Sequence, residues 1–160
     1  MAGADPRIQS RERQSPLHFA AQSGETRVVG SLIERLDLQK GEGRGVDYYG
    51  RTALIYAACG FDDPELLSML LEAGRVAEVA EESNRDHEDD KSMGGRTVGE
   101  RYIDFRDCHG RTALGYAVLM GRKQNARFLL DMGADGRIKD NHGVACGGRE
   151  FEALEVKVEA

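Results

Sequence analysis

Small apolar residues recur along this chain in short stripes, three to four positions apart, and the stripes come in pairs separated by a glycine. The first pair is Leu17, Ala20 and Ala21 up to Gly24, then Val28, Val29, Leu32, Ile33 and Leu36. The second is Leu54, Ala57 and Ala58 up to Gly60, then Leu66, Leu67, Leu70 and Leu71 up to Gly74. The third is Leu114, Ala117 and Val118 up to Gly121, then Asn125, Ala126, Leu129 and Leu130 up to Gly133. This spacing lines one face of an α-helix, so the pattern predicts three helix pairs. Their starts are marked as well: Ser15-Pro16, Thr52, Asp63-Pro64 and Thr112 supply capping oxygens or a proline at the first helical position. Gly74 is expected to end the second pair.

The leading stripes begin at Leu17, Leu54 and Leu114, steps of 37 and 60 residues. A unit of 33 residues leaves insertions of 4 and 27. Within units the offsets agree, since Leu17 to Leu32 and Leu114 to Leu129 are both 15. Leu54 to Leu70 is 16, the extra residue lying in the stretch 61–64. A helix pair with one apolar face cannot bury it alone, so units of this kind stack into a solenoid.

The motif residues sharpen this. Ser15-Pro16-Leu17-His18-Phe19-Ala20 resembles the T-P-L-H-x-A signature of the ankyrin repeat. Asp47-Tyr48-Tyr49-Gly50-Arg51-Thr52-Ala53-Leu54 and Asp107-Cys108-His109-Gly110-Arg111-Thr112-Ala113-Leu114 are similar to its hairpin-tip pattern. Leu129-Leu130-Asp131-Met132-Gly133-Ala134-Asp135 is similar to its helix ending. The resemblance implies an all-α fold: a short ankyrin-type solenoid of helix-turn-helix repeats with hairpin-loop fingers. It covers roughly residues 10–143, in three units. The chain departs from the pattern at Ala53 and Ala113, where the family has proline, and at Ile55 and Gly115, where it has a histidine that ties neighbouring loops. Only His18 remains, so a weaker stack is expected. A fourth unit starts at Asp140-Asn141-His142-Gly143 and fails at Val144-Ala145-Cys146-Gly147.

The domain reading is a flexible polar lead at 1–14, repeats over 15–143 with an acidic insertion at 75–101, and a degenerate fourth unit or capping tail at 144–160. A short acidic helix is expected near Val76 to Glu82. The chain has 160 residues, 40% hydrophobic, and a net charge of −6. Seven acids against Arg85 between Glu78 and Asp90 account for that whole charge. The remainder is balanced, which argues against nucleic acid as partner, because such proteins carry a basic stripe. No apolar run approaches the roughly 18 residues of a membrane span, and residues 1–14 have neither a secretory signal nor a myristoylation pattern. Cys59, Cys108 and Cys146 are scattered and odd in number, which points to a reducing cytoplasmic or nuclear setting.

No catalytic assembly is visible. Neither Cys59 nor Cys108 has a base and an orienting group placed by motif, and no phosphate loop or dinucleotide fingerprint occurs. A zinc site from Cys108, His109, His142 and Cys146 is disfavoured unless the tail folds back, since equivalent tips stand about 10 Å apart while zinc ligands lie near 2 Å. The acidic insertion lacks the spacing of a calcium loop. The expectation is therefore a non-enzyme with no cofactor, no metal and no small-molecule substrate, whose partner is another protein. The resemblance implies that the free positions are those after the tip Asp, after the tip Gly and after the paired small residues. Here they are Tyr48, Tyr49, Arg51 and Cys59 in the second unit, and Cys108, His109, Arg111, Leu119 and Met120 in the third. Tyr and Arg are enriched among binding hot spots. Local packing of the tyrosines, and cover of Leu119 and Met120 by the fourth unit, stand as alternatives. A second functional reading gives the active part to the acidic insertion, and a third makes the chain a piece of a longer array.

Overall fold

The computed structural model describes residues 5–37, 45–83 and 101–145, with the backbone alone for 77–83. Six α-helices form along it: α1 (Pro16–Ser23), α2 (Thr26–Arg35), α3 (Ala53–Cys59), α4 (Pro64–Ser83), α5 (Ala113–Leu119) and α6 (Lys123–Asp131). The described residues contain no strand, only two isolated bridges beside loops, Val46 with Thr52 and Lys139 with Ala145. Helices α1, α3 and α5 pack side by side as one layer, and α2, α4 and α6 as a second. The core runs between the layers. Leu17, Leu54 and Leu114 fill it from the first, and Val29, Leu67, Leu70, Ala126 and Leu129 from the second.

Why the helices start where they do is local chemistry. The Thr52 and Thr112 hydroxyls accept from the backbone N–H of Ile55 (3.3 Å) and Gly115 (3.2 Å), satisfying donors that a helix start leaves unpaired. Asp63 does the same for α4, accepting from Glu65 and Leu66. α6 has no cap of its own. Its second and third residues donate instead to Asp62 of the neighbouring unit, Gln124 N–H at 3.3 Å and Asn125 N–H at 2.9 Å. A negative group at a helix N-terminus is favoured by the helix dipole, so the stretch that lengthens the second unit also fastens the third unit to it.

Two expectations change. Gly74 does not end its helix: α4 continues to Ser83, absorbing the short acidic helix anticipated near Val76. Gly74 is there for a different reason. Directly over it lies the ring of Tyr102, in a 3-10 turn (Tyr102–Asp104) where the chain returns from its insertion. Tyr102, Ile103 and Phe105 are buried, and the two rings meet edge to face at 5.8 Å. Asp104, also buried, accepts from the backbone N–H of Asp135 at 2.9 Å.

The second change is at the start of the chain. Residues 10–14, read from the sequence as part of a flexible lead, close the same loop that follows Asp47 and Asp107. Ser10 N–H donates to Gln14 O (2.9 Å) and Arg13 N–H to Ser10 O (2.9 Å), as Asp47 N–H donates to Arg51 O and Gly50 N–H to Asp47 O. The Ser10 hydroxyl accepts from Glu12 and Gln14 N–H, the place taken elsewhere by an aspartate. Arg13 occupies the glycine position at φ 61°, a left-handed conformation that costs a residue with a Cβ on the order of 1 kcal/mol. The structure thus carries four hairpin tips, at 10–14, 47–51, 107–111 and 140–144, against three helix pairs among the described residues. The acidic residues from 84 to 100, the glycine-rich loop at 38–44 and the tail at 146–160 lie outside the described residues.

Candidate functional site

Each inner tip is wound around one aspartate. Asp47, almost fully buried, accepts at Oδ1 from Tyr49 and Arg51 N–H, both at 2.8 Å. At Oδ2 it accepts from Arg51 Nε (3.0 Å) and the Tyr56 hydroxyl (2.8 Å). Gln14 Nε2 donates in turn to the Tyr56 oxygen at 2.7 Å, linking the first tip to the second. Asp107 repeats the scheme with His109 and Arg111 N–H at 2.9 Å and the Tyr116 hydroxyl at 2.6 Å. Burial pushes the Tyr116 phenol well above its usual range, with the hydrogen bond to Asp107 adding to it, and burial raises Tyr56 similarly. Both phenols remain protonated donors, so the carboxylates stay satisfied. Four bonds to Asp47 fix its tip far more firmly than turn propensity alone.

A backbone ladder joins the tips. Tyr48 N–H donates to Glu12 O (2.8 Å), Cys108 N–H to Tyr49 O (2.8 Å) and Asn141 N–H to His109 O (2.9 Å). Each rung joins the first position after one tip anchor to the second position after the previous one. Side chains therefore fall into two rows, Arg11, Tyr48, Cys108 and Asn141 in one, Glu12, Tyr49, His109 and His142 in the other.

The candidate residues divide on this frame. Tyr48 is 72% exposed, and its ring meets that of Tyr49 edge to face at 5.5 Å. Cys108 and His109 are exposed on the next tip. Arg51 and Arg111 are less free than the sequence suggested. Arg51 is held by Asp47, with its guanidinium 4.6 Å from the Tyr49 ring centre and 5.0 Å from that of Tyr56. Arg111 reaches forward to Asp140 of the fourth tip, Nε to Oδ2 at 3.3 Å. Leu119 and Met120 are half exposed but stand at the far end of α5, about 10 Å of helix from the tip that starts it. The structure thus brings six of the nine into one ridge and leaves Leu119 and Met120 apart. Cys59, the remaining candidate, is half-buried with its thiol donating to Tyr56 O, and burial raises its pKa. Sequence reading passed over Gln14, in a stretch read as a flexible lead, and Tyr56 and Tyr116, which lie among core positions on α3 and α5 and gave no separate signal.

His18 makes the inter-unit tie. Ser15 N–H donates to its Nδ1 (3.1 Å), so that nitrogen is unprotonated and Nε2 donates to the Arg51 carbonyl at 3.1 Å. Burial lowers its pKa, against opposing effects of the Arg51 carbonyl and Asp47. Protonation would aim an Nδ1–H at the Ser15 N–H. Folding therefore favours the neutral ring, and the sign follows. The unfolded histidine takes up a proton near pH 6.5 before the folded one does, so this contribution is complete above about 6.5 and drains away as pH falls toward the folded pKa. Thermal melts at pH 7.5 and pH 5.5 should show the intact array losing stability, at no more than about 1.4 kcal/mol per pH unit from this group. His18→Ala should melt lower at pH 7.5 and show a smaller drop. An equal drop in both proteins would remove His18 from the account.

Among the described residues no three His, Cys, Asp or Glu side chains converge as metal ligands, and Cys146 lies outside them. No helix among them is long and apolar enough to cross a membrane. What the ridge offers is a fixed surface of aromatic, amide and cationic groups. A family model for ankyrin repeats (3 copies) matches residues 1–81, and one for the ankyrin repeat matches residues 109–141. No curated protein matches the chain.

Proposed function

This chain belongs to the ankyrin repeat family, a family of protein-interaction modules, and from that premise we propose that it binds another protein, without catalysis, through the ridge of hairpin tips. The observation that supports this reading is Tyr48: a large ring 72% exposed, on a loop whose every turn is pinned by Asp47 and by the bond to Glu12. Exposing an aromatic on a flexible loop costs binding energy when the loop must be ordered, whereas a ring on a rigid tip brings contact area with little entropy to lose. Tyr49, Arg51, His109 and Arg111 surround it as polar and cationic contacts, and Cys108 fills the small position beside it. Leu119 and Met120 extend the contact for a partner that reaches along α5. The free thiols Cys59 and Cys108 suit a reducing setting, the cytoplasm or the nucleus. Neither nucleic acid, membrane nor a small-molecule substrate is assigned to this surface.

The competing reading places the activity in the acidic insertion. Both are separated by comparing proteins captured by the intact chain, by a Tyr48→Ala, Tyr49→Ala double variant and by a chain lacking residues 78–90. Loss of capture by about tenfold or more in the double variant, with capture kept after the deletion, is the expected result. Undiminished capture by the double variant would overturn the ridge as the binding surface.

A further inference from the structure

The first described unit has an outward face built like an interior one. In the repeat register Phe19 corresponds to Tyr56 and Tyr116, and Val28 to Leu66 and Asn125. Those positions turn toward the preceding unit. Tyr56 is buried against Gln14 and His18, its ring 5.5 Å from the His18 ring. Asn125, fully buried, donates to the Phe61 carbonyl of the unit before it at 2.7 Å. In the first unit the same positions are apolar and open: Phe19 is 50% exposed, Val28 47% and nearby Ile8 63%. With Pro16, Ala20 and Leu32 they line an open groove. Exposed apolar patches of this kind mark interaction sites.

We propose that this leading face pairs with the same face of a second copy of the chain, closing a two-fold dimer. Continuity with the stacking interface says what kind of surface fits: another set of small and apolar helix residues. Two features select a like face over the trailing end of another copy. The place an incoming first tip would take beside His109 is already held by Asn141, bonded to the His109 carbonyl at 2.9 Å, so head-to-tail addition is blocked. The groove's polar lining is amide and hydroxyl apart from Glu25, so two copies meet there with little charge repulsion. An isologous contact of this sort stops at two, and Tyr48, Tyr49, Cys108 and His109 of the later tips lie outside the groove lining.

Sedimentation of the full chain up to about 100 µM should show a monomer–dimer equilibrium. Val28→Glu should raise the dissociation constant at least about thirtyfold by placing carboxylates in the shared apolar face, and Ile8→Lys should weaken it as well. Both positions are exposed, Val28 at 47% and Ile8 at 63%, so unchanged circular dichroism melts should accompany both changes. Leu119→Glu, at the other end, should leave the dimer intact. A monomer at every concentration, or a dimer indifferent to Val28→Glu and Ile8→Lys, overturns the proposal. So does a dimer dissolved by Leu119→Glu, or a monomer whose leading face captures a different protein in a Val28-dependent way.

Discussion

Ala57→Glu is expected to abolish the cooperative unfolding transition of the whole array, not of one unit. Ala57 is buried in the middle of α3, the helix flanked by α1 on one side and α5 on the other. Its register partners Ala20 and Ala117 are buried too, so this column of alanines sets how closely the inner helices approach. A larger side chain there costs about 1–3 kcal/mol in forced repacking, and an unpaired carboxylate several kcal/mol more. Domains hold only about 5–15 kcal/mol in total. In a stack, each unit's stability includes its interfaces with both neighbours. Opening α3 removes two interfaces at once, and neither flanking helix pair has the buried area to stand alone. Circular dichroism of the variant should therefore show most helix signal lost at 25 °C. A protein that kept the signal of the first and third units, with fast amide exchange confined to α3 and α4, would break this argument. Ala57→Ser, which adds one small atom, should still fold.

Much of that architecture was legible from spacing alone. The helix pairs, the Thr52 and Thr112 caps and the core stripe repeat with fixed offsets, and a repeat multiplies each weak local signal by its number of copies. What escaped were single-copy features. The first tip was missed because Ser10 stands for the aspartate and Arg13 for the glycine, two substitutions that keep the hydrogen bonds and erase the motif. The trans cap from Asp62 to α6 was invisible because the residues are 62 and 63 apart and belong to no pattern.

The site was legible to the level of register and no further. Spacing located the tips, so Tyr48, Tyr49, Cys108 and His109 stood where expected as exposed residues. It could not say which way the arginines point. Arg51 and Arg111 occupy equivalent positions, yet one folds back on its own aspartate and the other reaches to the next tip. The oxygens ahead of them differ: Asp107 Oδ2, on the tip after Arg51, accepts from the Tyr116 hydroxyl, whereas Asp140 Oδ2, on the tip after Arg111, accepts from Arg111 itself. A choice of that kind depends on the neighbouring unit's content, which no single repeat encodes.

Gly74→Ala should destabilise the protein by about 2 kcal/mol, against the usual sign for this change in a helix. Inside an exposed helix Ala is better than Gly by about 1 kcal/mol, so the neighbours must decide. A Cβ at position 74 would fall on Cδ1 and Cε1 of Tyr102. That ring is fully buried and braced edge-on by Phe105 at 5.8 Å, so it has no open space to move into. Either α4 bends or the 3-10 turn lifts, and overpacking of this kind costs about 1–3 kcal/mol beyond the propensity gain. Lifting the turn would also pull Asp104 from the Asp135 N–H, loosening the third unit's far end. Chemical denaturation of four proteins tests this: the parent, Gly74→Ala, Tyr102→Ala and the double variant. In the Tyr102→Ala background the glycine change should turn stabilising, by up to about 1 kcal/mol. If it remained equally harmful there, the close approach of Tyr102 would not be what requires a glycine. The seating of this turn matters because it is where the chain re-enters the stack after its long insertion. A residue small enough to admit the Tyr102 ring is what lets an array carry that many extra residues and still place the third tip in step with the second.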